Sequence, residues 1–198
     1  MELCSEFSDW SLHIYGKGEH RKQIQDYIDR KAIGKCVFLK GYVNDIDKAY
    51  AESSVYLSTS AFESFGLTFI EAMKHGLPIV STDGPLGAQY LLGEGRGTLV
   101  PQGNIDNIRA ALRKTMQAVS SNSPDLRMQI QNNLQYVRRF SRSKIESEWN
   151  NAFKLLSSSQ QGLENNTSHL LLNGKSVNTE RIKLNRIQSW ICTKLGCR

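Results

Sequence analysis

Short apolar runs alternate with segments of helical periodicity along most of the chain. The apolar runs are typical of buried strands, and apolar residues three or four positions apart characterise the segments between them. Strands and helices that alternate in this way form an α/β fold, in which helices cover both faces of a parallel sheet. The predicted strands lie in WSLHIY, CVFLKG, SVYLSTS, LPIVST and GTLVP.

The pattern changes at about residue 157, so we predict two parts. Residues 1–156 form the α/β domain, and residues 157–198 form a polar linker followed by a basic amphipathic tail. The tail contains six of the 25 Lys and Arg residues but only two of the 19 Asp and Glu residues. Its helix would either dock on the protein body or contact an anionic membrane surface.

Composition excludes several classes of protein. Apolar residues make up 39% of the chain, which is enough for a packed core. We expect no nucleic-acid partner, because no dense basic face with interleaved aromatic residues precedes the tail. No apolar run approaches the roughly 20 residues that span a bilayer, and the N-terminus lacks a secretory signal.

The cysteines match no zinc pattern, so we expect no metal site. We also expect no disulfide framework, with Cys36 as a small core thiol in an apolar strand. These features favour the cytoplasm, with the tail placing the protein peripherally on the inner face of the membrane.

Two glutamates, Glu63 and Glu71, flank the start of a helix that the pattern predicts over residues 65–75. The first N–H groups of a helix have no intrahelical acceptor and carry partial positive charge, so they can bind a diphosphate. Gly66 would let the ligand approach the backbone closely. Glu63 could then accept hydrogen bonds from hydroxyl groups near the phosphate, and Glu71 from a ribose diol.

The simpler alternative gives neither glutamate a ligand. Glu63 would only stabilise the helix dipole, and Glu71 would point to solvent. However, Glu71 interrupts an otherwise apolar helix between Ile70 and Ala72. A carboxylate near a core needs a partner or a ligand.

The stretch FESFGLTFIEAMKHGLPIVSTD resembles the glutamate-x7-glutamate signature of retaining GT-B glycosyltransferases of the family 4 type. The flanking stretches resemble the strands and helices of that family in the same order, over about residues 10–156. They are WSLHIYGKGEHRKQIQDYI, CVFLKGYVNDIDKAYAESSVYLSTS and GTLVPQGNIDNIRAAL. The resemblance implies a Rossmann-like domain, the C-terminal, donor-binding domain of a GT-B enzyme.

The resemblance also implies roles for individual residues. Glu63 would be the catalytic residue that contacts the donor sugar, and Glu71 would bind the nucleotide ribose. The substrate would be a nucleotide-diphosphate sugar, most often of UDP or GDP, whose hexosyl group passes with retention to a polysaccharide or lipid-linked acceptor. No cofactor or metal is implied. The other implied donor-binding positions are Gly16, Gly18, Tyr42, Val43, Ser64, Phe65, Gly66 and Leu67.

The chain also departs from the family pattern. Family members place an acceptor domain, and a strand and helix with a diphosphate-binding Arg and Lys, before the stretch that SLHIYG matches. Only ten residues precede that stretch here, and Gln89 stands where a Glu is common. Lys17 and Arg21 are weak candidates to replace the lost charge.

Several interpretations therefore stay open. The chain is the donor-binding part of an enzyme, or a truncated remnant without activity. It could also be the partner of a separate polypeptide that carries the N-terminal domain of a split glycosyltransferase. A nucleotide-sugar epimerase of similar architecture is less favoured.

Overall fold

The computed structural model describes residues 2–84 and 86–167, with side chains as far as residue 156. Five strands occur in this part of the chain, and every paired neighbour runs parallel, as the sequence predicts. The strands are β1 (Leu12–Tyr15), β2 (Val37–Gly41), β3 (Tyr56–Ser58), β4 (Ile79–Thr82) and β5 (Thr98–Val100).

Helices alternate with the strands and then continue beyond them. A 3₁₀ turn over Val137–Phe140 separates the last two helices. The helices are α1 (Glu2–Glu6), α2 (Arg21–Arg30), α3 (Ile46–Ala51), α4 (Leu67–Lys74), α5 (Gly87–Leu92), α6 (Ile105–Ser120), α7 (Pro124–Tyr136) and α8 (Arg142–Thr167).

The strands form two hydrogen-bonded groups, β1 with β2 and β3 with β4 and β5, where the pattern predicts one sheet. Doubly wound sheets have the strand order 3-2-1-4-5-6, in which the chain moves outward from the centre and then returns to it. The two groups fit positions 3-2 and 4-5-6 of that order. Within the described residues, the central position between β1 and β3 is not filled.

The hydrogen bonds of the paired strands show which backbone groups face this gap. Leu12 N–H donates to Cys36 O at 2.8 Å, and Tyr56 N–H donates to Pro78 O at 2.9 Å. Alternate residues of a parallel strand bond to opposite neighbours. His13 on β1 and Leu57 on β3 therefore direct their backbone groups to the unpaired edges.

The core surrounds β4. All four residues of this strand are buried, and successive strand residues point to opposite faces, so both faces of the sheet are covered. Helices α4, α5 and α6 pack against β4. Phe69 and Met73 of α4 and Leu91 of α5 are fully buried and fill this core.

The N-terminal segment is tied to the domain. Cys4 forms a disulfide with Cys36, so the expectation that Cys36 is a free core thiol is wrong. The two Cα atoms lie 6.1 Å apart, within the range that a disulfide requires, because α1 folds back to the start of β2. Arg113 of α6 adds an ion pair with Glu6 at 2.7 Å.

The described chain divides into two compact units. The first ends at Ile145, and the second begins at Glu146 inside α8. In the second unit the rings of Trp149 and Phe153 stack at 5.7 Å. The predicted boundary between residues 156 and 157 stays a prediction, and the predicted tail helix lies outside the described residues. In the part of the chain that is described, no helix is apolar enough over a sufficient length to cross a bilayer.

Candidate functional site

Helix α4 begins immediately after Gly66, which adopts a left-handed conformation with φ +88° and ψ 51°. The N–H groups of Phe69 and Ile70 both donate to the Gly66 carbonyl, at 2.9 and 3.4 Å. The helix therefore starts at Leu67, two residues later than predicted, because the left-handed turn separates Phe65 from the helical backbone. The N–H groups of Leu67 and Thr68 have no acceptor within the helix.

Gly66 allows no side chain. A Cβ there would overlap the Phe69 ring and would lie 3.3 Å from Leu91 Cδ1. A positive φ is also costly for residues that carry a Cβ. The turn thus depends on glycine both for its conformation and for the close packing beneath it.

Three hydrogen bonds hold the loop between β3 and α4, which contains Glu63 and Ser64. All three come from residues that follow β4 or β5 or lie at the end of β4, so the loop is fixed against the carboxyl ends of β4 and β5. They are Thr82 Oγ1 to Ser60 O (2.7 Å), Gln102 Nε2 to Ala61 O (2.7 Å) and Gly87 N–H to Glu63 O (3.0 Å).

Gly87, the first residue of α5, packs directly on this loop. A Cβ at Gly87 would lie 2.7 Å from the carbonyl carbon and oxygen of Phe65 and 3.0 Å from Glu63 O. The start of α5 and the loop are therefore in backbone contact. The partly buried Glu63 is held through its main chain, and its carboxylate is left to interact with other groups.

Glu71 has the partner that its position in an apolar helix requires. Its Oε2 accepts a hydrogen bond of 3.0 Å from the hydroxyl of Tyr50, which lies on α3. Tyr50 is only 7% exposed. Glu71 is thus partly buried and hydrogen-bonded, so the alternative that it simply points to solvent is wrong.

The charges of both glutamates affect the ionisation of the Tyr56 hydroxyl. Burial raises the pKa of the Tyr56 hydroxyl, a hydrogen bond with the Thr68 side chain opposes this, and the charges of Glu63 and Glu71 raise it further. Burial and the bond to Glu71 likewise raise the pKa of Tyr50. The charges of both carboxylates therefore act on the Tyr56 hydroxyl.

The predicted residues from the first two strands form a separate group. Gly16 follows β1 with φ +125°, and its N–H donates to Gly41 O at 2.8 Å. The Lys17 ammonium lies 5.0 Å from the centre of the Tyr42 ring. Gly18 and Val43 adjoin these residues along the chain. Arg21 instead donates to Leu39 O at 3.2 Å, on β2.

The two groups of predicted residues are not joined directly. Among the described residues, no hydrogen bond, ion pair or ring contact links the Gly16–Tyr42 group to Glu63, Gly66 or Glu71. The first group follows β1 and β2, whereas the second follows β3. Both lie at carboxyl ends of parallel strands, where open α/β sheets bind ligands.

The sequence did not single out Tyr50, Tyr56 or Asp83. Asp83 Oδ1, just after β4, is buried and has no hydrogen-bond partner among the described residues. A tyrosine at a core position is an ordinary packing residue, and only the fold shows that these two meet the glutamates. In residues 2–84 and 86–167, no three potential metal ligands converge on one point.

Comparison with known proteins identifies the family. The sequence model described as "Glycosyl transferases group 1" matches residues 1–137. A poly(glycerol-phosphate) alpha-glucosyltransferase of Bacillus subtilis is 34% identical over 120 residues, 60% of this chain and 18% of that protein. The GtfA subunit of a UDP-N-acetylglucosamine–peptide N-acetylglucosaminyltransferase of Streptococcus agalactiae is 33% identical over 153 residues, 75% and 30% of the two chains.

Solved structures agree with this relationship. The pneumococcal O-GlcNAc transferase GtfA, in complex with UDP and GlcNAc, aligns with a TM-score of 0.66 and 27% identity, over 77% of this chain and 31% of that one. TarM aligns with a TM-score of 0.64 and 27% identity, over 77% and 30%. The chain therefore belongs to the glycosyl transferases group 1 family and has the Rossmann-like fold of GT-B glycosyltransferases.

The match is partial in length. The chain spans less than a third of these relatives, from 18% of the Bacillus subtilis protein to 31% of pneumococcal GtfA. What the relatives do as whole proteins is a property of chains more than three times as long as the part that is matched.

The first prediction concerns the Gly66 turn. We expect Gly66→Ala to lower the free energy of unfolding by at least about 2 kcal/mol, because the left-handed conformation alone costs roughly 1–2 kcal/mol and the Cβ overlaps Phe69. Urea unfolding followed by circular dichroism measures this. Gly34→Ala is the control, since its Cβ would lie 3.8 Å from Ile28 Cγ2. Equal effects of the two substitutions would contradict the importance of the turn.

The second prediction concerns the ionisation of the buried tyrosines. The pKa of Tyr50 is raised above its ordinary value of 10.0, so its stabilising contribution is complete below pH 10.0 and declines as the pH rises above it. We expect absorbance at 295 nm to show Tyr50 and Tyr56 ionising later in the native chain than in urea, with Tyr50→Phe removing one late transition. Coincident native and unfolded titrations would count against this.

Proposed function

We propose that this chain forms the donor-binding part of a retaining, family 4-like GT-B glycosyltransferase. It would bind a nucleotide sugar and transfer the hexosyl group to a polysaccharide or lipid-linked acceptor. The observation that carries the proposal is the start of α4, where Glu63 and Glu71 flank unpaired helical N–H groups. Membership of the glycosyl transferases group 1 family supports the same proposal.

In this proposal the diphosphate lies at the N-terminus of α4. The N–H groups of Leu67 and Thr68 donate to its oxygens, and Gly66 leaves space for it to approach. The helix dipole adds a favourable interaction with negative charge. The same fixed donors stabilise the charge that develops on the departing diphosphate, which lowers the barrier for sugar transfer.

The glutamates orient the two ends of the donor. Glu63 contacts the sugar, and its loop is held by hydrogen bonds that do not use its carboxylate. Glu71 accepts hydrogen bonds from the ribose hydroxyls through Oε1, because Oε2 is engaged by Tyr50. Tyr42 and Val43, after β2, would approach the base, and the turn with Gly16 and Gly18, after β1, would open onto the same cleft.

The relatives suggest the nucleotide and the kind of acceptor. One solved relative contains UDP, and several relatives are named for poly(glycerol-phosphate), poly(ribitol-phosphate) or peptide acceptors. We propose UDP or GDP as the nucleotide, a polymeric acceptor, and chemistry without a bound metal. We also propose a cytoplasmic site of action, with the basic tail at the inner membrane surface. The Cys4–Cys36 disulfide argues against this location, because disulfides are rare in reducing compartments.

The proposal is tested by thermal-shift titration of the full chain with UDP, GDP, ADP and their glucose conjugates, with and without EDTA. A ligand at 100 times its dissociation constant adds about 2.7 kcal/mol to the free energy of unfolding. We expect one base to raise the melting temperature by roughly 5–10 °C, equally in EDTA. Glu71→Ala should remove most of this shift.

The control is Glu52→Ala, which removes a carboxylate that pairs with Lys48 at the exposed end of α3. It should keep the full ligand-induced shift. The proposal fails if no nucleotide stabilises the folded wild-type chain. It also fails if Glu71→Ala and Glu52→Ala respond to nucleotide like the wild type.

A second candidate is a partner subunit of a split glycosyltransferase, without activity of its own. The unpaired edges of β1 and β3 favour it, because unpaired strand edges are sites where another chain can add a strand. Two relatives are consistent with it. The Streptococcus agalactiae GtfA is named as a subunit, and a structure titled as a GtfA/B complex aligns with this chain with a TM-score of 0.65 and 29% identity.

Amide hydrogen exchange tests whether the chain is such a partner subunit. In the chain alone, the His13 and Tyr15 amides of β1 should exchange fast, and the buried Val80 amide of β4 should exchange slowly. A polypeptide that carries the N-terminal domain and is encoded beside this chain should protect His13 and Tyr15 in a stoichiometric complex. Strong protection of both amides in the isolated chain would contradict the candidate.

A further inference from the structure

Two side-chain pairs join α3 to α4 beside the candidate donor site. Asp47 Oδ1 lies 2.7 Å from His75 Nε2, and the Tyr50 hydroxyl donates to Glu71 Oε2 at 3.0 Å. Asp47 and Tyr50 are three residues apart on α3. Glu71 and His75, the residue that follows α4, are four apart, so the two residues from each helix lie on one helix face. In the outer pair Asp47 is exposed and His75 is partly buried, and the inner pair includes the glutamate of the site.

The position of the Tyr50 hydroxyl is fixed by its ring. The ring stacks on the His75 imidazole, with centres 5.5 Å apart and planes 17° apart. On another side it packs against Tyr56 at 5.9 Å. Only 7% of the residue is exposed, so the ring has little room to move. The hydroxyl therefore donates to Glu71 from a fixed position.

The bond leaves the two carboxylate oxygens of Glu71 unequal. Oε2 accepts from Tyr50, whereas Oε1 accepts no hydrogen bond from any residue in the described part of the chain and is not enclosed. One oxygen is therefore anchored, while the other is able to accept a further hydrogen bond. A free glutamate loses rotamer entropy on being fixed by a ligand, and an anchored one has less to lose.

We propose that Tyr50 is a positioning residue for the nucleotide site. Its hydroxyl holds Glu71 in the rotamer that turns Oε1 toward the ribose diol, so that the ribose hydroxyls meet an acceptor already in place. This inference rests on the proposed function of Glu71 and adds a residue on a different helix. It also makes the ribose, rather than the diphosphate, the part of the ligand that depends on Tyr50.

The alternative is that Tyr50 only stabilises the packing of α3 on α4. Removal of the hydroxyl would then weaken all ligands alike or none of them. Tyr50→Phe separates the two possibilities, since it keeps every ring contact and loses only the hydrogen bond. Each variant is then compared for its affinity for two ligands, one with ribose hydroxyls and one without.

The experiment is calorimetric titration of the full chain with UDP and with 2′,3′-dideoxy-UDP. Loss of the anchoring bond lets the Glu71 carboxylate sample other rotamers, which a ligand must then fix. A three- to tenfold change in affinity corresponds to about 0.7–1.4 kcal/mol. We therefore expect Tyr50→Phe to weaken UDP binding about three- to tenfold and to leave dideoxy-UDP within about twofold of the wild type. In the Glu71→Ala background, Tyr50→Phe should cause no further loss.

Two variants serve as controls for Tyr50→Phe. Tyr27→Phe removes a hydroxyl at an exposed position on α2 and should change neither affinity. Asp47→Asn weakens the outer contact between α3 and α4 but leaves the Tyr50–Glu71 bond. It should lower the melting temperature and keep the wild-type ratio of the two affinities.

The possible failures are distinguishable. If the wild type does not bind UDP, GDP or ADP, the proposed function fails and this inference fails with it. If the wild type binds, and Glu71→Ala weakens binding while Tyr50→Phe does not, only the role of Tyr50 is overturned. Equal losses for UDP and dideoxy-UDP in Tyr50→Phe would show a structural role and would also overturn it.

Discussion

The left-handed turn at Gly66 is the constraint on which the rest of the site depends. It lets the chain leave the β3 loop and enter α4 within one residue, and the N–H groups of Leu67 and Thr68 have no acceptor within the helix. Phe69 then packs beneath the turn at full burial, which forbids any side chain at Gly66. The same packing that stabilises the core thus keeps the helix N-terminus open to a ligand.

The glutamates are arranged around this turn by two different means. Glu63 is placed by its backbone, through the bond from Gly87 and the contacts of its loop with residues near the ends of β4 and β5. Glu71 is placed by its side chain, through Tyr50. A carboxylate that is half-buried needs such a bond, since burial of an unpaired charge is costly. Core stability and ligand positioning therefore use the same contacts.

The sequence predicts the features that depend on local pattern. The five strands, the parallel pairing, α4 and the glycine after its end, Gly76 with φ +71°, follow from apolar periodicity and turn chemistry. The family signature places Glu63 and Glu71 correctly on either side of the α4 start. These elements are set by neighbours along the chain, so one sequence is enough to find them.

The features that the sequence does not predict depend on contacts distant in the chain. Tyr50 meets Glu71 across 21 positions, and Cys4 meets Cys36 across 32. The gap between the two strand groups is likewise a property of pairing and not of any strand. Each of these requires the packing of whole elements, which no local pattern records.

The most direct test of the account is an NMR titration of the ¹⁵N-labelled full chain with UDP, or with whichever nucleotide binds best. The account predicts that the largest amide shifts fall on Gly66, Leu67 and Thr68, with smaller shifts at Glu71 and Tyr50. Saturable shifts confined to other parts of the chain, with the start of α4 unaffected, would contradict a donor site at this helix.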